Sequence, residues 1–398
     1  MDLNNLQSQP IVVIGGGFGG LSTVVALLAK AEGIPILLID QSSRFVFKPF
    51  LYELLSNEMQ LWEVAPSYSE LAAELGFIFL QESVVEIDEI KSQVTTAAGK
   101  EFQFSQLVIS TGMKTDYPGL AFQQYCYGCS DLNDIMNIRK LIKSIKHSSK
   151  IKSPLVIAGA GPTGVELACK IADLVNNKVA IYLIDKGTKI LPNSKAFNRE
   201  ASLLALEERN IKILLKHLVK SVNKDHIELE SLDLEIHHRK EINYSGLIWT
   251  GGLSLSSSEL LTNYLHGNKK IKVNEFMQVN GSKNIFFVGD LTLNDHNPYP
   301  SSAQVATQQG FLTAQNIFSL RKGHTLKPFL FKDRGEILSL GIGNAALTGY
   351  GITLSGPLAF EIRRLAYLKR MPGIVLFLKS GGSWLFSKKF INRLFSYD

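Results

Sequence analysis

The chain has 398 residues, with 42 Lys plus Arg against 36 Asp plus Glu, a formal charge of +6. The last 42 residues hold eight basic residues (Arg363, Arg364, Lys369, Arg370, Lys379, Lys388, Lys389 and Arg393) and two acids (Glu361 and Asp398), so the tail carries the whole surplus and the first 356 residues are neutral. A neutral body excludes a nucleic-acid surface spread over the fold, and 45% apolar with 20% charged residues excludes a disordered chain.

The N-terminus, MDLNNLQSQP, is polar and predicts no signal peptide. The first strand is expected at Ile11–Ile14 (IVVI), a short β-branched run. It leads into Gly15-Gly-Gly17-Phe18-Gly19-Gly20 and an apolar helix, LSTVVALLA. A second strand, ILLI, ends at Asp40. The unit closes at Leu107-Val-Ile-Ser-Thr111-Gly112. The same order then repeats. Leu155–Ala158 (LVIA) leads into Gly159-Ala-Gly161-Pro-Thr163-Gly164, a helix (VELACKIADLV) and a strand, IYLI, ending at Asp185. This copy closes at Thr250-Gly251-Gly252. From first glycine to acid is 25 positions in one copy and 26 in the other.

A lone glycine fingerprint is weak. Strand, G-x-G-x-x-G, helix, strand and acid at this spacing is a strong dinucleotide signature, and here it occurs twice. The first glycine permits the tight turn, the second admits a pyrophosphate, and the third lets helix and strand pack closely. The pyrophosphate then meets the positive end of the helix. Asp40 and Asp185 suit ribose diols, and a carboxylate at 185 repels a 2′-phosphate. Lys186 and Lys189 lie beside it and soften that repulsion.

A later run, Ile285-Phe-Phe-Val-Gly289-Asp290, is a buried strand in search of a sheet. The economical account returns it to the first domain. The expected fold class is therefore α/β, with two Rossmann-like dinucleotide-binding domains. The first comprises residues 1–115 and 280–330, the second is inserted as 116–279, and 331–398 form a C-terminal amphipathic membrane-anchoring region.

The three cysteines, Cys126, Cys129 and Cys169, build no disulfide framework, which points to a reducing compartment. Asp40 to Tyr68 contains no cysteine, against a redox pair beside the first nucleotide. Cys126-Tyr-Gly-Cys129 lacks a second ligand pair, and no metal site is expected. No run of ~18 apolar residues predicts a spanning helix. Two amphipathic pieces end the chain. In residues 358–370, Ile362, Leu365 and Leu368 share a side, with Arg363, Arg364, Lys369 and Arg370 supplying charge. In residues 384–397, Phe386, Phe390 and Leu394 oppose Lys388, Lys389 and Arg393. A basic amphipathic helix suits an anionic membrane surface. The competing reading packs it on the body or on a second subunit of a homodimer.

The doubled motif resembles the two-dinucleotide-binding flavoprotein superfamily, where the first unit holds FAD and the second NAD(P)H. Three stretches resemble the type II NADH dehydrogenase family: Phe47-Lys-Pro-Phe-Leu-Tyr-Glu-Leu-Leu55, Gly159–Ala168 and Ala303-Gln-Val-Ala-Thr-Gln-Gln-Gly310. Residues 198–222 are similar to its cyanobacterial and plastid branch, which reduces demethylphylloquinone. One departure is Tyr299-Pro-Ser-Ser302, where the family usually has Pro or Thr before Ala-Gln.

The resemblance implies a single-subunit, non-pumping NAD(P)H:quinone oxidoreductase using FAD and NADH, with NADPH also admitted. It implies a membrane quinone as acceptor and a peripheral place on the cytoplasmic face of a thylakoid or plasma membrane. FAD would be held by Gly15, Gly17, Phe18, Gly19, Gly20, Asp40, Lys48, Pro49, Val85, Thr111, Gly112, Gly289, Asp290, Gln304 and Val305. The nicotinamide nucleotide would be held by Gly159, Gly161, Thr163, Gly164, Asp185 and Gly251. Ser302 suits a helix cap. Gln304 and Gln308 share one helical face, and either meet flavin or quinone or satisfy buried backbone. Glu166 either delivers protons or only favours its helix dipole. A soluble ferredoxin or rubredoxin reductase, and a nucleotide-sensing flavoprotein similar to apoptosis-inducing factor, are the alternatives.

Overall fold

Short β-branched runs bounded by glycine favour strands buried on both faces. In the computed structural model, which describes residues 9–30, 33–148, 153–233, 239–255, 259–265, 270–279, 281–295 and 298–385, they build two parallel sheets. The first has the order Ile285–Phe287, Gln106–Ile109, Ile11–Ile14, Ile36–Asp40, Ile78–Gln81. The late strand pairs Ile285 with Leu107 and Phe287 with Ile109. The second sheet has the order Lys212–Leu214, Ile181–Ile184, Leu155–Ala158, Gly246–Trp249, Cys126–Tyr127. Ile271–Lys272 pairs with Thr292–Leu293, just past Asp290. Three-stranded antiparallel sheets flank both units.

The two glycine loops turn identically. Gly15 and Gly159 hold φ of +91° and +115°, where a side chain is strained. A Cβ on Gly20 would lie 1.9 Å from the Gly15 carbonyl oxygen, and one on Gly164 lies 1.8 Å from that of Gly159. The helices Phe18–Leu28 and Pro162–Val175 therefore start directly against their strands. Helix Ala303–Arg321 crosses Phe18–Leu28 at Gly310, whose Cβ would meet the Gly19 carbonyl oxygen at 2.5 Å.

The C-terminal region is less of a tail than its charge suggests. Glu336–Ser339, Ala345–Gly349 and Ile352–Gly356 form an antiparallel sheet, followed by helices Pro357–Leu368 and Ile374–Leu385. Arg363 was expected among the surface charges. It is instead fully buried, because its guanidinium bonds Glu53 and the Pro49 carbonyl. Leu368 is buried too, whereas Ile362 and Leu365 face outward, so the three do not share one side. Residues 386–398, which hold most of the second amphipathic piece, lie outside the described residues. No helix among the described residues is long and apolar enough to cross a membrane.

The helix–strand contact at Gly20 leaves no room for a methyl group. Gly20→Ala should destabilise the protein by roughly 3 kcal/mol, read as a lower midpoint in urea.

Candidate functional site

The first loop's acid braces it. Asp40 accepts from the Gly16 amide at 2.6 Å and the Ser42 amide at 2.7 Å. Asp185 does the same for the second loop, accepting from Ala160 at 2.7 Å and Gly187 at 2.6 Å. Burial raises the Asp40 pKa, and the two amides partly offset it. The helix caps Gly17 and Gly161 have no side-chain bond at the helix start. A Cβ on either glycine would meet nothing within 4 Å. Free helix-terminal amides beside open space fit a diphosphate. Among the described residues Thr111 Oγ1 is buried without a partner, which fits a polar ligand edge at the close of the first unit.

Gly289 and Asp290 end the late strand beside this loop. The Gly289 amide donates to Gln309 Oε1 at 2.6 Å, and Gln309 also reaches Thr292 Oγ1. Gln309 is fully buried and was not foreseen. Its neighbours in the motif, Gln304 and Gln308, were the expected ligands, yet their amides are committed to backbone. Gln304 accepts from Arg334 N at 2.7 Å and donates to Gly335 O. Gln308 bonds both the amide and the carbonyl of Lys332. These bonds pin the segment that leads into the C-terminal sheet. Ser302 caps the helix as expected, accepting from Val305 N at 3.2 Å. Val85 lies half-exposed on the Val84–Asp88 strand.

The two units meet where helix Leu51–Leu55, just after the short turn Lys48–Phe50, packs on helix Pro162–Val175. Burial raises Asp290, and Lys48 and Lys270 pull it back down. Lys48 likewise works against the burial that raises Cys129. Burial holds the Tyr52 hydroxyl well above the usual phenol range, with Thr163 of the second loop working against it. Glu166 lies beyond it, buried, accepting from Ser339 N at 2.7 Å. Burial pushes Glu166 up to about 7, against the pull of Arg363 and the Ser339 amide. A buried carboxyl whose pKa lies near neutrality can hold or release a proton.

Around it lies a buried charge cluster. Arg363 Nη1 bonds Glu53 Oε1 at 2.6 Å. Lys170 Nζ bonds Glu58 and stands 3.8 Å from Glu53. Burial alone raises the Glu53 pKa, but Arg363 and then Lys170 hold it below the usual glutamate value. Periodicity gives no sign of this cluster, because its members come from three distant segments. The cysteines are all free, and burial pushes Cys126 up to about 12. No group of three or more potential metal ligands occurs among the described residues.

Two parallel dinucleotide sheets with braced glycine loops define an oxidoreductase built for a flavin and a nicotinamide nucleotide. The chain belongs to the pyridine nucleotide-disulphide oxidoreductase family, whose pattern matches residues 9–310, and within it to the type II NADH dehydrogenase family. A demethylphylloquinone reductase of Synechocystis sp. is 36% identical over 94% of this chain and 95% of its own. A chloroplastic/mitochondrial alternative NAD(P)H-ubiquinone oxidoreductase of Arabidopsis thaliana is 32% identical over 96% of this chain and 82% of its own. The structure of NDH2 from Plasmodium falciparum in complex with NADH superposes with a TM-score of 0.83 at 18% identity, covering 98% of this chain and 99% of that one. That last likeness shows the shared fold.

Because the Glu166 pKa is raised on folding, its contribution to stability is full below about 4.5 and lost as pH rises through about 7. Glu166→Gln removes that dependence. The melting temperature of wild type minus that of the variant should therefore fall steadily between pH 5 and pH 8.

Proposed function

We propose that this protein is a single-subunit, FAD-dependent NAD(P)H:quinone oxidoreductase that reduces a membrane naphthoquinone of the demethylphylloquinone type. The observation that carries this reading is the match, nearly end to end, to the demethylphylloquinone reductase. The first unit, with Gly15–Gly20, Asp40, Lys48, Thr111 and Asp290, binds FAD; when bound, it accepts hydride from the nicotinamide and passes two electrons to quinone. The second unit, with Gly159–Gly164, Asp185 and Gly251, binds the nicotinamide nucleotide. The open faces of Gly17 and Gly161 support both assignments. Glu166 holds a proton beside the junction of the two units.

A lipid quinone calls for a membrane surface, and the C-terminal helices support one. Leu358, Ile362 and Leu365 on the first helix are exposed, as are Ile374, Val375, Phe377 and Leu378 on the second. Lys369, Arg370 and Lys379 are exposed among them. Leu365 at 64% and Leu378 at 62% exposure are too apolar for a water-facing surface of this extent. An apolar ridge with basic residues suits the plane of an anionic bilayer. Arg363, on the opposite face of the first helix, is already paired and contributes no charge to it.

NADH should bleach the bound flavin faster than NADPH in stopped flow, because Asp185 disfavours a 2′-phosphate. Turnover in lipid should favour naphthoquinones over benzoquinones. Preference for ferredoxin, with no quinone turnover, would overturn the reading. Leu365→Asp combined with Leu378→Asp should weaken cosedimentation with phosphatidylglycerol vesicles by about tenfold while leaving turnover of a water-soluble quinone intact. Unchanged cosedimentation would remove this ridge from the membrane contact.

A further inference from the structure

Hydride passes between two rings only when they are held about 3–3.5 Å apart and aligned. On the reading proposed above, on which this inference rests, the flavin belongs to the first unit and the nicotinamide to the second. The placement of one unit against the other is therefore part of the reaction. Helix Leu51–Leu55 on helix Pro162–Val175 is one contact between them. One contact leaves a turn about itself open, and a second, set apart from it, is needed to stop that turn.

Residues 332–336 make a second contact. On the flavin side the segment is held by the side-chain amides of Gln304 and Gln308. On the nicotinamide side the Glu336 carboxylate accepts from Ser194 Oγ at 2.7 Å, Lys195 N at 3.1 Å and Asn198 Nδ2 at 2.9 Å. Its carbonyl accepts from Asn198 Nδ2 as well, at 3.2 Å. Asn198 lies in the first turn of helix Ala196–Glu207, fully buried, and its oxygen accepts from Thr348 Oγ1 at 2.8 Å. Lys195 Nζ also meets Asp333 at 2.8 Å, but that pair is half exposed and contributes little. From Ser194 the bonds run on to the second glycine loop. Ser194 N donates to Leu191 O at 3.1 Å, and Leu191 N donates to Ala160 O at 2.9 Å. Arg199 closes this turn by donating to the carbonyls of Leu191 and Ser194. Leu191 is fully buried at a φ of +47°, a conformation that persists only where the surroundings fix it.

We propose that Glu336 is a positioning residue for hydride transfer. It fixes the nicotinamide loop, through Ser194 and Leu191, at a set distance from the flavin-side helix Ala303–Arg321, to which Gln304 and Gln308 fasten the same segment. Glu336 acts through these neighbours and not on the reacting atoms. A displacement of about 1 Å between reacting groups costs on the order of 100-fold in rate. Loosening this contact therefore slows the step that needs both units and spares the step that needs only the flavin.

The test uses the full-length, FAD-loaded enzyme and three variants. Glu336→Ala removes the acceptor. Glu336→Asp withdraws it by one methylene and carries the test if the alanine variant does not fold. Glu336→Gln keeps an oxygen for Lys195 N and Asn198 and turns its nitrogen to the Ser194 hydroxyl, so it should stay within about threefold of wild type. In stopped flow, flavin reduction at saturating NADH should slow by about tenfold or more in the alanine and aspartate variants, with the half-saturating NADH concentration changed by less than about threefold. The long-wavelength charge-transfer absorbance of the nucleotide–flavin complex should weaken in step. Enzyme reduced with dithionite, without nucleotide, should be reoxidised by menadione within about twofold of wild type. Unchanged reduction in both variants, or an equal fall in the two half-reactions with a lower melting temperature, would show a structural clamp and overturn the proposal. A loss in Glu336→Gln as large as that in Glu336→Ala would assign the effect to charge and overturn it too. If NADH does not reduce the wild-type flavin, the functional reading itself fails, a result seen before any variant is made.

Discussion

The buried pairing of Arg363 with Glu53 is the contact on which the shape of this enzyme turns. It joins the first helix of the C-terminal region to the segment that follows the flavin-side loop, and it also reaches the Pro49 carbonyl. The guanidinium lies over Phe50 and Tyr367, each about 5.3 Å away. Removing two charges from water is costly, and breaking such a pair strands one of them. The geometry therefore admits few alternatives. A C-terminal helix held this way stands in a defined place against Lys48–Phe50.

The same constraint gives the first C-terminal helix two distinct faces. One face of helix Pro357–Leu368 closes the charged interior, with Phe360 and Arg363 buried. The other leaves Leu358, Ile362 and Leu365 outside.

Much of the fold was legible in the residues. The doubled glycine loops, both acids, the return of Ile285–Phe287 to the first sheet and the Ser302 cap all depend on local geometry that residue types and spacing reveal. The exceptions share a cause. Gln304 and Gln308 lie on one helical face as their spacing says, yet what that face meets is the backbone of residues 332–335, brought there by a distant turn. Gln309, one position away, has the bond to Gly289 instead. Glu53, Glu58 and Lys170 carry no local pattern that marks them as a cluster, and they meet Arg363 only through packing.

The opening charge imbalance shows where the division falls. Sequence by itself determined that the body is neutral, that two dinucleotide loops stand on two parallel sheets, and that the basic surplus lies in the last 42 residues. Those properties follow from composition and from periods of a few residues. Only the tertiary structure decided that Arg363 leaves that surplus to neutralise Glu53 and that Glu166 sits where burial moves its proton affinity to neutral pH. Both depend on contacts between residues about 113 to 310 positions apart, and such contacts are set by packing and desolvation, which no local pattern records.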